Sequence, residues 1–147
     1  MSIQINYKKS HQKKDSANLV FFVDAKFNIL SVKKYISKSE YSVISDLLKS
    51  RDLKKEILIF DINSKKKIIL VSLKKNITAS ETENLGAKFY NLFKEEKSDQ
   101  YIINSDTIEN KTKNIVGYFL HGLKLKSYKF EKYKSKKDKK NITLNIV

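Results

Sequence analysis

At 147 residues the chain has the length of one domain, enough to bury about two thirds of its unfolded surface. With 40% apolar residues, eight Phe and eight Tyr it can fill a core, which excludes a disordered basic tail. A formal charge of +15 points toward polyanions, while zero cysteines exclude disulfides and thiolate metal sites. No apolar run approaches the ~20 residues of a membrane span, and the basic N-terminus lacks an apolar secretion core, so a cytoplasmic protein is expected.

Ile3, Ile5 and Tyr7 alternate with polar residues, which predicts a short edge strand. Residues 8–16 are polar and basic, a loop. The run LVFFV at 19–23 predicts a strand buried on both faces, with residues 27–32 continuing as irregular strand or loop. Ser37 and Glu40 form a capping-box pattern, and Tyr41, Ile44, Leu47 and Leu48 share the face of the helix behind it. Asp46 and Lys49 fall on its solvated side.

Residues 56–62 (EILIFDI) and 67–73 (KIILVSL) predict a hairpin turning at Asn63 and Ser64. A second capping box, Thr78 with Glu81, opens a helix striped by Leu85, Phe89, Leu92 and Phe93. Gly86 inside it costs about 1 kcal/mol against Ala, which implies a close contact with the sheet. After a break at 94–98, residues 100–104 predict a strand and 106–110 a polar connection. A third helix is expected from Lys111 or Thr112 toward Ser127. It carries Ile115, Val116, Phe119, Leu120 and Leu123 on its apolar side, and its two glycines, Gly117 and Gly122, suggest tight packing. Residues 141–147 form the last strand, with Ile142, Leu144 and Ile146 on one face.

Apolar strands alternating with amphipathic helices predict an α/β fold of three layers, a mixed β-sheet flanked by helices, as a single domain over residues 1–147. Residues 124–140 hold nine lysines against Glu131 and Asp138 and read as a flexible basic segment leading to the last strand.

Candidate chemistry is sparse. His11 and His121 lie in unrelated settings, a polar loop and an apolar helix, without partners at ligand spacing. Asp24 and Asp61 end strands and would converge only if those strands were neighbours; turn formation is the commoner role. All three glycines fall in predicted helices, which argues against a glycine-lined phosphate cradle and hence against an ADP-ribose binder. No metal site, cofactor site or catalytic residue is expected.

The run Gly122, Leu123, Leu125, Tyr128, Phe130, Tyr133, Lys134, Ser135 resembles the close of the N-terminal domain of the leucyl (cytosol) aminopeptidases, which reads G-L-x-L-x-x-Y-x-F-x-x-Y-K-[ST]. Lys124 and Lys126 depart from it, standing where apolar or small residues belong. The order of elements from about residue 18 to 147 agrees. The resemblance implies a macro-domain-like fold and a non-catalytic role beside a C-terminal catalytic domain carrying two divalent ions, Mn or Zn, in a hexamer. Motifs of the kinds G-K-G-x-x-F-D-[ST]-G and N-T-D-A-E-G-R, which supply those metal ligands, do not occur in these residues.

The alternative is a basic nucleic-acid-binding module in which Tyr128, Phe130 and Tyr133 stack bases and the lysines of 124–140 meet phosphate. Arg51 is the only arginine, so such binding would be non-specific and salt-sensitive. Richness in Lys, Ile and Asn also follows from an AT-rich coding bias, which accounts for the charge without a polyanionic partner.

Overall fold

A computed structural model of the chain describes residues 2–7, 18–52, 54–63, 66–93, 100–104, 108, 114–133 and 141–146. In chain order the elements are β1 (Ser2–Tyr7), β2 (Asn18–Asp24), a 3-10 turn (Leu30–Val32), α1 (Lys38–Leu48), β3 (Ile57–Asn63), β4 (Lys66–Leu73), α2 (Ala79–Phe93), β5 (Gln100–Asn104), α3 (Ile115–Tyr133) and β6 (Asn141–Ile146). The strands form one sheet in the order β1-β6-β5-β2-β4-β3. Every pairing is parallel except β3 with β4, so the sheet is mixed, as expected. β1 lies on the edge that its alternation foretold.

β2 is the spine. Residues 19–23 are buried on both faces because β4 and β5 flank the strand and helices cover it above and below. Val20 and Phe22 join Ile69, Val71, Tyr101 and Ile103 under α2 and α3. Leu19, Phe21 and Val23 join Ile68, Leu70 and Ile44 of α1, together with Phe27, Ile29, Val32 and Ile36 of the following loop. The period-2 alternation of one strand thus feeds two cores, and three layers result.

Both capping boxes form. Ser37 Oγ accepts from the Glu40 N–H at 3.1 Å while Glu40 Oε1 accepts from the Ser37 N–H at 3.0 Å. Thr78 and Glu81 repeat the exchange at 3.1 and 3.3 Å. Residues 27–32 are loop and 3-10 turn rather than strand. Asp24 Oδ1 accepts the N–H groups of Lys26 and Asn28, tightening a turn in which Phe27 takes a left-handed φ of 57°.

The hairpin forms with a bulge: Asp61 pairs with Lys67 and Asn63 with Lys66, leaving Ile62 over. Ser64 lies outside the described residues, as do His11 and the rest of the loop expected at 8–16, residues 94–99, most of the expected 106–110 connection and Val147.

Two expectations need correction. The stripe of α2 includes Tyr90, 1% exposed, whereas Leu92 is 46% exposed, because the helix rests on α3 as well as on the sheet and its buried arc turns toward both. Residues 124–133, expected as a flexible connection, continue α3 to Tyr133. Lys124 sits exposed on that helix and Lys126 at its boundary, so neither lysine enters the core.

Candidate functional site

α3 begins where Asn114 Oδ1 accepts the Gly117 N–H at 3.1 Å, a side-chain cap on the first turn. The expected start at Lys111 or Thr112 lies outside the described residues. Ile115, Phe119, Leu120 and Leu123 hold the helix to the core. Phe119 meets Phe22 edge-on at 5.2 Å and Phe89 at 5.6 Å.

Gly86 and Gly122 make the close approach. A Cβ on Gly86 would strike the Phe119 carbonyl oxygen and lie 2.9 Å from the Leu123 nitrogen; one on Gly122 would strike the Glu83 carbonyl oxygen. The contact of Gly86 is therefore with α3, not with the sheet. Gly117 serves differently, since a Cβ there would meet only the Asn114 side chain.

Of the family-signature positions, Gly122 and Leu123 are buried at this crossing. Leu125 and Tyr128 lie on the opposite, outer side with His121, whose Nδ1 is 3.1 Å from Glu83 Oε1 of α2. Phe130 and Tyr133 belong to the last turns of α3. The helix turns their positions about 200° and 140° away from 128, so the three aromatics do not share one face. The side chains of Phe130 and Tyr133, and all of Lys134 and Ser135, lie outside the described residues.

A second feature escaped the sequence. At the C-terminal ends of β2 and β4 lies a cleft of about 570 Å³, walled by Val23, Ala25, Leu73, Ile77, Ile108 and Ile115 and rimmed by Asp24, Lys26, Lys74 and Lys75. A neighbouring cleft of about 410 Å³ shares Ala25, Lys74 and Ile77 and adds Lys54, Lys55 and Lys88. Glu81 pairs with Lys74 at 3.2 Å and Glu56 with Lys88 at 2.9 Å. Hydrogen bonds from Lys74 and from the Thr78 backbone and hydroxyl hold the Glu81 carboxyl below its ordinary pKa. Lys26, Lys54, Lys55 and Lys75 have no carboxylate partner among the described residues.

This crevice lies where open α/β sheets place ligands. It can draw anions, but Asp24 is engaged by its own turn and no glycine lines either wall. Asp24 and Asp61 do not converge: β4 separates their strands, and they stand at opposite ends of it, against Leu73 and Lys67. No group of His, Cys, Asp or Glu among the described residues could hold a metal ion. No helix among them is long and apolar enough to cross a membrane.

The fold is similar to the macrodomain of Thermus aquaticus DarG, with a TM-score of 0.63 over 99% of this chain and 98% of that one. At 9% identity this likeness speaks for the fold alone. No curated protein sequence matches the chain. The model of the cytosol aminopeptidase family, N-terminal domain, matches residues 19–137, from β2 past the end of α3. The match takes in β2, the α2–α3 crossing and the Gly122-to-Ser135 run alike, and the chain belongs to the cytosol aminopeptidase family as its N-terminal domain.

Proposed function

We propose that this domain is the non-catalytic support of an aminopeptidase, steadying its assembly and influencing access to its active sites. The observation that carries this reading is the family match over residues 19–137. The parent enzyme releases N-terminal amino acids from peptides in the cytoplasm, as a hexamer, with chemistry housed in a C-terminal catalytic domain. Two divalent ions there, Mn or Zn, would polarise the scissile carbonyl and activate water. Among the described residues no group of three or more His, Cys, Asp or Glu stands together to hold such ions.

The contribution of this domain is mechanical. α2 and α3 are locked backbone to backbone, and a rigid layer of that kind can hold a neighbouring unit in place. The test is to compare the parent with and without these residues, measuring mass by light scattering and hydrolysis of a leucine anilide. Removal is expected to weaken the hexamer and alter KM. Unchanged mass and kinetics would overturn the proposal.

A second reading, binding of single-stranded nucleic acid, is favoured by exposed Tyr128 beside exposed Lys124. Fluorescence anisotropy at low and moderate salt tests it. Binding that survives moderate salt and falls on Tyr128→Ala or Tyr133→Ala supports it. Binding that vanishes with salt is lysine charge alone.

A further inference from the structure

We infer that the outer face of α3 is a docking surface for an acidic amphipathic helix of a partner protein. Tyr118, His121, Leu125 and Tyr128 follow one another at spacings of three, four and three residues. On a helix those positions form a stripe about 80° wide, the spacing of a helix–helix seam. Tyr118, Leu125 and Tyr128 are 41%, 46% and 67% exposed, although the core-facing side of α3 is satisfied by Ile115, Phe119 and Leu123.

The stripe sits on a fixed base. Gly86 and Gly122 clamp α3 to α2 at its middle, and Glu83 tethers His121 from the neighbouring helix. A partner therefore meets a preformed ridge and pays little ordering entropy on this side.

Charge selects the occupant. Lys124 is exposed along one border of the stripe, and the chain as a whole carries a formal charge of +15. A second copy would bring the same +15 charge to the contact, which opposes self-pairing. A partner helix with apolar residues on one face and Glu or Asp beside them matches the seam, Lys124 at its border and the positive charge of the chain. The seam spacing favours a helix over nucleic acid: the two tyrosines stand about 15 Å apart along the axis with Leu125 between them, which is not a platform for successive bases. This inference stands independently of the aminopeptidase reading.

The experiment uses the full 147-residue chain and a fluorescent synthetic peptide of about three heptads, with leucines on one seam and glutamates beside them. A scrambled peptide of identical composition and a single-stranded oligonucleotide serve as competitors at near-physiological salt. Saturable binding of the seam peptide is expected, weakened about tenfold or more by Leu125→Asp with an unchanged melting temperature. Tyr128→Ser, at the more exposed position, should weaken it likewise and covers the case in which Leu125→Asp does not fold. Equal binding of the scrambled peptide, no binding, indifference to both substitutions, or preference for the oligonucleotide would each overturn the proposal.

Discussion

Lys66 Nζ lies 2.8 Å from Glu40 Oε2, with the two side chains only 10% and 14% exposed. The pair ties the start of β4 to the first turn of α1. Glu40 also closes the capping box through Oε1, so one carboxylate serves both the tertiary contact and the helix start. Burial alone would raise the Glu40 pKa. The hydrogen bond from Lys66, those from the Ser37 backbone and hydroxyl, and the Lys66 charge together outweigh it and hold the carboxyl below the ordinary glutamate range.

A carboxyl depressed in the folded state adds stability that is present above its unfolded pKa and lost as pH falls through the folded one. The pair should therefore support the fold fully at neutral pH and fade below about pH 4.5. Glu40→Ala leaves Lys66 nearly buried without its partner and should cost about 1–3 kcal/mol at pH 7. Denaturant melts at pH 7 and pH 3 check this: the difference between wild type and variant should shrink at the lower pH.

The glycine crossing makes a sharper prediction. Gly86→Ala and Gly122→Ala each gain about 1 kcal/mol of helix propensity. Each also drives a methyl into the backbone of the neighbouring helix, where no rotamer change relieves the clash. Both variants should be destabilised by about 2 kcal/mol net. Gly117→Ala is the control. Its Cβ meets a side chain that can swing away, so the lost cap and gained propensity should roughly cancel. Thermal melts of the three variants separate the cases.

α2 offers a matched pair two residues apart. Tyr90→Ala should cost about 3–5 kcal/mol, since it empties a fully buried aromatic site against the core. Leu92→Ala should stay within about 0.5–1 kcal/mol because the side chain is already half in water. Phe119→Ala, which removes ring contacts to Phe22 and Phe89, should match Tyr90→Ala. Urea midpoints rank all three.

The features legible in the sequence were those that local chemistry determines. A run such as LVFFV can be satisfied only by burial on both faces, and Ser37 with Glu40, or Thr78 with Glu81, needs only its own first turn. What stayed hidden depends on segments distant in sequence. Gly86 announced a close contact without naming α3 as the neighbour. Leu92 and Tyr90 exchanged places because α2 is buried by two neighbours, which tilts the arc that a single-face reading assumes.

The end of α3 was hidden for another reason. Tyr128, Lys129 and Phe130 alternate like an extended tail, yet no Gly or Pro follows Gly122 to stop the helix, and Lys and Glu continue it readily. The lysine-rimmed clefts could not be read at all, because loops at 25–31, 54–56 and 73–77 build them together. The Gly122-to-Ser135 run was the part of the candidate site that a sequence pattern could carry.

The central claim is that these 147 residues lend structure to an aminopeptidase and none of its chemistry. It is tested most directly by incubating the purified chain with a leucine anilide and added Mn²⁺. The account predicts no turnover above buffer and no change in melting temperature on adding a chelator. Measurable release of the anilide, lost on chelation, would contradict it.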